Sequence, residues 1–472
     1  MTKKTGKPIV IDFNNVMASA VGKKHGITAT EIKAFQKRTA GYHKQLLAER
    51  KKKILGFYDL PYQDVLVNDI KGTVAELKDG FDNFVVLGIG GSALGNIALQ
   101  AAINHPFYNL LERKKRGGFP RIFIMDNVDP EYFAGFLDII DPKKTLFNLI
   151  SKSGGTAEPM SQFMVVREIL RRKLGRRAKN NIIATTDRES GLLREIVGKE
   201  GFESFVIPDN VGGRFSVFTP VGLLSAAMGG IDIESLLAGA AAMDERCGTP
   251  SLKKNPAYLN AVVHYIADTR KHKPVSVMMP YSSALYLIAD WYRQLWAESL
   301  GKKFNTRGKI VHAGQTPIKA LGATDQHSQV QLYTEGPNDK IFTIVGVDKY
   351  RREVAIPKKY REYDALSYLG GKTMNKLINA ERIGTETALV SAKRPCLTVT
   401  LPEISPHTVG QMIYLYEVQT AFAGKLYGIN AFDQPGVEAG KIATFALMGR
   451  KGYAKKRKQI LQNQKKSKGN IV

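Results

Sequence analysis

Cysteine, tryptophan and acidic side chains are the scarce residues of this chain. Its two cysteines, Cys247 and Cys396, lie too far apart for a C-x-x-C redox or metal motif and are too few for a disulfide scaffold. That fits a reducing cytoplasm. The eight histidines show no ligand spacing with Asp or Glu, so no metal is expected and no cofactor is implied. The most apolar stretch, 221–243, is interrupted by Gly229, Gly230, Asp232 and Glu234, so no bilayer span is expected. The opening MTKKTGKPIVIDF is basic but lacks the apolar region of a secretory signal. Acid is short by a wide margin: 43 Asp and Glu stand against 69 Lys and Arg, a net charge of +26. The remaining composition, 43% hydrophobic over 472 residues, is that of a globular chain with large cores and two or three domains.

Part of the basic excess is local. Residues 450–472, RKGYAKKRKQILQNQKKSKGNIV, hold nine Lys or Arg and no acid, and residues 167–179, REILRRKLGRRAK, hold seven against Glu168. Such runs can bind nucleic acid by counterion release. Neither interleaves aromatics at a base-stacking spacing, so nucleic acid is not the expected partner. A solvated surface, or a field that steers an anionic ligand, accounts for them.

Two Gly/Ser-rich stretches are more telling. GIGGSALG (88–95) and SKSGGTAE (151–158) each close an apolar run and open a helical one. Helix starts leave unpaired N–H groups and a partial positive charge, which favour a phosphate. Ser92, Ser151, Ser153 and Thr156 add hydroxyls, and neither stretch has the lysine spacing of a nucleotide P-loop. A phosphorylated small molecule follows rather than a nucleoside triphosphate.

Apolar runs at Phe84–Leu87, Ile122–Met125, Leu146–Ile150, Ile182–Thr185 and Phe205–Ile207, separated by helical patterns, predict βαβ crossovers and a parallel sheet. A second alternation has strands at Val275–Met279, Ile341–Val345 and Cys396–Leu401, with helices near 283–300, 370–392 and 406–426. The expected organisation is a polar helical N-terminal extension over 1–55 and α/β domains over 56–215 and 216–430. A C-terminal helix with a basic tail follows over 431–472. Both α/β domains are doubly wound, so ligands belong at the carboxyl ends of the strands.

In SALYLIADWYRQLWAESLGKK, Leu285, Ile288, Tyr292, Leu295 and Trp296 form a buried stripe at helical spacing. Gln294 and Glu298 share another face. Glu298 falls in the last turn before Gly301, where the negative end of the helix dipole makes the carboxylate a stronger base, as proton abstraction requires. GATDQHSQ surrounds His327, and a helix starts at Pro435. Val437, Lys441, Thr444 and Met448 fall on one stripe that reads as inward-facing, where a lysine is costly unless it meets an anion.

Together GIGGSALG, SKSGGT, VGGRFSVFTPVG, AESLGK, GATDQHSQ and FDQPGVEAGK closely resemble the glucose-6-phosphate isomerase (phosphoglucose isomerase) family, bacterial type, in the family's order across residues 88 to 441. The resemblance implies two sugar-isomerase-type (SIS) α/β domains and metal-independent interconversion of glucose 6-phosphate and fructose 6-phosphate in the cytoplasm. It implies phosphate-binding roles for Ser92, Ser151, Ser153 and Thr156, with Lys152 in the same loop and Gly91 beside them. Gly213 and Arg214 face the reacting carbons, Gln294 positions the substrate and Glu298 moves the proton. His327, from the partner of a homodimer, and Lys441 open the sugar ring, and Gln434 contacts the phosphate. Leu300 stands where many members have asparagine, and the basic tail is atypical.

Two alternatives share much of this pattern. A dual phosphoglucose/phosphomannose isomerase would differ only in pocket details. A non-catalytic sugar-phosphate sensor would use the loops but has no need of Glu298 with Arg214. Gly88–Ala93 also fits G-x-G-x-x-A, yet the acidic partner of a dinucleotide site is due ~20 residues on, and Asp126, at the end of the next expected strand, comes much later.

Overall fold

The structure, a computed structural model, describes residues 6–464 and 470. The last part of the basic tail, 465–469 and 471–472, lies outside the described residues. Among the described residues twelve strands form two five-stranded sheets and a hairpin. β1 is Val10–Asp12, β2 Asn83–Leu87, β3 Arg121–Met125 and β4 Thr145–Ile150. β5 is Ile182–Thr186, β6 Glu203–Val206 and β7 Val275–Pro280. The hairpin pairs β8, Lys302–Phe304, with β9, Ile310–Ala313. β10 is Thr316–Lys319, β11 Lys340–Lys349 and β12 Cys396–Glu403.

The first sheet is parallel throughout, in the order β3-β2-β4-β5-β6. Its inner strands β2, β4 and β5 are buried at every position, so apart from Asn83 and Asn148 they read as apolar and β-branched runs rather than alternations. The chain leaves β2 to one side for β3 and returns to the other for β4. That reversal makes a switch point between the ends of β2 and β4, where both Gly/Ser stretches emerge. The second sheet, β1-β12-β11-β7-β10, is parallel except for β1, which pairs antiparallel with β12. Two doubly wound α/β units therefore stand as expected.

The N-terminal segment differs from expectation. It is no separate extension: β1 closes one edge of the second sheet, and Ile9, Val16, Ile27, Phe35 and Leu46 are buried in the main core. The apolar run that holds β1, Ile9-Val10-Ile11, is too short to show a period, so nothing in the sequence marks the strand. β10, with the sequence TPIK, escapes notice for the same reason.

Four helices bear on the site. α1 is Leu94–Ile103, α2 Ala157–Leu174, α3 Tyr286–Leu300 and α4 Pro406–Tyr427. α4 has every local signal of a helix: a Ser405 cap reciprocated by Thr408, Pro406 in its first turn and left-handed Gly428 at its end. It is buried on nearly all faces, as a helix through the middle of a large core must be. Beyond it α5, Glu438–Leu447, and α6, Ala454–Asn463, are mostly exposed. Within the other basic run, Arg171 and Arg172 pair with Glu168 and Arg167 pairs with Glu200. Among the described residues no helix is long and apolar enough to cross a membrane.

Glu417, in the middle of α4, is fully buried, and neither carboxylate oxygen meets a hydrogen-bond partner among the described residues. Burial pushes its carboxyl well above the usual range, so the fold holds it protonated. Unfolding releases that proton once the pH exceeds the ordinary glutamate range, so this term destabilises the fold progressively as pH rises. Glu417→Gln removes the term. Urea unfolding should show the variant gaining on the parent, by up to about 1.4 kcal/mol per pH unit, as pH rises above the ordinary glutamate range; a constant difference would contradict a buried neutral acid.

Candidate active site

The two phosphate-type loops sit side by side at the switch point, and both are internally hydrogen-bonded. In the second, Ser151 Oγ accepts from the Gly154 amide at 3.0 Å and Ser153 Oγ from the Gly155 amide at 3.2 Å. Gly154 has φ +67, and a Cβ there would lie 2.1 Å from the Leu193 amide nitrogen, so only glycine fits. Thr156 caps α2 by backbone alone and leaves its hydroxyl out of the cap. Ser92, in the turn before α1, likewise makes no side-chain hydrogen bond among the described residues. Lys152 turns away from these hydroxyls. Its ammonium donates to the Asp209 carbonyl at 2.8 Å and braces the segment leading to Gly213.

Gly91 joins the loop to the rest of the site. A methyl group on it would lie 2.2 Å from the Gly213 carbonyl carbon and 2.7 Å from the Arg214 amide nitrogen. Backbone thus touches backbone, and Gly213 and Arg214 follow wherever the first loop goes.

Arg214 is the hub. Only 3% exposed, its guanidinium donates from Nε to Ser299 Oγ at 2.6 Å, from Nη1 to Gln434 Oε1 at 3.1 Å, and from Nη2 to the carbonyls of Ala431 and Asp433. That uses four of its five N–H donors. Nη1 also stands 3.7 Å from Glu298 Oε2, so the remaining donor lies on the side of the carboxylate. Burial pulls the guanidinium below its ordinary value, and the charges of Glu298 and Asp433 offset the effect. Phe215 extends the anchor: it packs on Phe57 and Phe432 with ring centroids 5.0 and 5.3 Å away, which presses the 431–434 segment against this loop.

Glu298 reaches Arg214 from α3. The expected stripe of Leu285, Ile288, Tyr292, Leu295 and Trp296 is fully buried, and α3 packs against α1, the helix that follows the first loop. The opposite face carries Gln294, whose Nε2 donates to Glu298 Oε2 at 3.1 Å while its buried Oε1 has no partner among the described residues. The Gln294 amide also lies 3.1 Å from where a Cβ on Gly90 would sit, so α3 and the first loop meet at this face. Carboxylate, amide, guanidinium and phosphate-type loops therefore converge. Two further residues escaped sequence reasoning. Ser299 holds Arg214, and Lys302, nearly buried, donates to the carbonyls of Glu298 and Ser299. A lysine just past a helix end was the available signal.

Two predicted residues are not brought in. Lys441 does not lie on an inward stripe: Val437 and Met448 are exposed, and the ammonium pairs with Glu438 at 2.8 Å on the surface of α5. The helical period was right but could not say which side the fold covers. His327 is exposed on a turn whose neighbours are pinned, Asp325 Oδ2 accepting from the Leu321 amide at 2.6 Å and Gln326 donating to the Tyr281 hydroxyl at 2.9 Å. The imidazole itself has no hydrogen-bond partner among the described residues. Among those residues no three His, Cys, Asp or Glu side chains cluster as a metal site requires.

The family model described as "Phosphoglucose isomerase" matches residues 64–460. The chain belongs to the phosphoglucose isomerase family. It is 49% identical over 456 residues to the glucose-6-phosphate isomerase of Carboxydothermus hydrogenoformans, covering 96% of this chain and 98% of that one. With the enzyme of Rubrobacter xylanophilus, also named glucose-6-phosphate isomerase, it shares 42% over 447 residues, 94% and 99% of the two chains. Among solved structures it is similar to a hypothetical protein of Thermus thermophilus, with TM-score 0.82 and 36% identity over 93% of this chain and 100% of that one. A glucose-6-phosphate isomerase from Chlamydia trachomatis follows at TM-score 0.73 and 25% identity, over 85% and 76%.

For a phosphoglucose isomerase assembled this way, the contact at Gly91 is a sensitive point. Gly91→Ala should cut kcat/KM of isomerisation by ~10²-fold or more, because the loops must part to admit the methyl group. Gly198→Ala, whose added methyl meets nothing within 4 Å, is the control and should leave the rate unchanged.

Proposed function

We propose that this chain interconverts glucose 6-phosphate and fructose 6-phosphate through an enediolate, with Glu298 as the base, at a step shared by glycolysis and gluconeogenesis. The observation that carries the reading is the meeting of Glu298, Gln294 and Arg214 beside the loops bearing Ser92, Ser151, Ser153 and Thr156. Those hydroxyls and the starts of α1 and α2 grip the phosphate, a remote handle whose binding energy orients the reacting end. The Glu298 carboxylate takes the proton from C2 of the open-chain aldose, and the electron pair moves to the C1 carbonyl oxygen. Returning the proton to C1, while the hydroxyl proton on O2 passes to O1, restores a carbonyl at C2 and leaves a hydroxyl at C1. Arg214 stabilises the intervening oxyanion with its remaining donor and cannot itself be deprotonated. Gln294 holds the carboxylate, and Gln434, fixed by Arg214, directs its free amide toward the phosphate. Lys441 serves ring opening after exchanging Glu438 for the sugar, which costs little because an exposed pair is worth at most about 1 kcal/mol. Glu298→Gln should lower kcat by ~10²–10⁴-fold with a far smaller change in KM in a coupled assay with fructose 6-phosphate. Activity close to the parent's would remove Glu298 from the mechanism.

His327 completes the neighbouring subunit's site in a homodimer. Its exposure, its lack of a partner among the described residues and the tight anchoring of its turn support that role. The compartment is the cytoplasm, in keeping with two buried free thiols. Mixing His327→Ala with Glu298→Gln subunits should restore part of the activity that each lacks alone. No recovery after demonstrated subunit exchange would mean that each site is built from one chain.

A further inference from the structure

Many helices close with a left-handed residue, and N–H groups there take up the last carbonyls. α3 does not. Gly301, just past its end, has φ −70 and ψ 88, and its amide reaches back only to the Ala297 carbonyl. The carbonyls of Glu298 and Ser299 are taken instead by one side-chain ammonium, Lys302 Nζ, at 2.7 and 2.9 Å. The same ammonium lies 3.7 Å from Asp433 Oδ1, in the segment whose next residue, Gln434, touches Arg214. The Lys302 side chain is only 6% exposed. A surface lysine near a helix end is common and means little; a buried ammonium is costly and persists where it is fully used.

We infer that Lys302 is a positioning residue for the isomerisation: it fixes the last turn of α3, and with it the Glu298 carboxylate, to the segment that presents Gln434. The inference rests on Glu298 being the base. Two cations, Arg214 and Lys302, here face two carboxylates, Glu298 and Asp433, so the group is balanced only while Lys302 is charged. Burial pulls the Lys302 ammonium below the ordinary lysine range, Arg214 pushes it the same way, and Asp433 and Glu298 oppose. As pH rises Lys302 therefore loses its proton earlier than an ordinary lysine, and the clamp weakens.

The test compares Lys302→Met, Lys302→Arg and Glu298→Gln as full-length proteins, with kcat and KM for fructose 6-phosphate across pH and melting temperatures. Lys302→Met keeps the stem and removes the donors; kcat should fall by ~10²-fold, the order expected of a base displaced by about an ångström, with KM little changed. Lys302→Arg should recover most of that loss and carry the alkaline fall in kcat to higher pH, because a guanidinium stays protonated there. A parental kcat in Lys302→Met, beside an inactive Glu298→Gln, would overturn the clamp and leave the base standing. An active Glu298→Gln would instead remove the base on which the inference depends. Should Lys302→Met fail to fold, Lys302→Arg decides: an unmoved alkaline limb counts against the clamp, and a shifted one supports it.

Discussion

The arrangement depends on a single guanidinium buried where four chain segments meet. Arg214 is bound by Ser299 at the end of α3, by Ala431, Asp433 and Gln434 after α4, and by backbone contact of its loop with Gly91. A cation with so little access to water is tolerable only when its donors are satisfied and opposite charge is near. Both conditions are met by residues that also line the proposed reaction site. The interaction that makes the fold tolerate the charge is thus the same one that gathers the chemistry. Lysine could not substitute, because the fork of five donors spreads the contacts over segments that a point charge could not reach together.

Apolar packing carries the rest of the alignment. α3 is held on its other side by Tyr292, Leu295 and Trp296 in the main core, and its contact with α1 links the proposed base to the first phosphate-type loop without passing through Arg214. Phe57, Phe215 and Phe432 stack beside the guanidinium and lend the 431–434 segment a rigidity that a loop of polar residues lacks. Dense packing resists small shifts. A proton transfer between adjacent carbons needs that resistance, since the carboxylate must reach both without retreating from either.

Much of this was legible in the sequence, and for a physical reason. Strands buried on both faces are mostly apolar, so β2, β4, β5, β11 and β12 announce themselves as runs, and glycines after β2 and β4 mark the loops. Gln294, Glu298 and Arg214 were identified and are found together. The losses are equally specific. β1 and β10 are short edge strands whose pairing, not composition, makes them strands. Lys441 was assigned to a covered face because periodicity reveals a stripe but not what lies over it. Lys302 was passed over because a lysine after a helix reads as solvated until its burial is known.

The pairing of β1 with β12 bears on how the molecule is made. Val10 meets Thr400, about 390 residues later. At a ribosomal pace of roughly 5–20 residues per second, the opening strand waits on the order of 20–80 s for its partner to emerge. The first sheet, complete by Val206, can close well before then. During synthesis the nascent chain therefore carries one finished half and one open edge, and the last stretch of sheet to be translated seals the first.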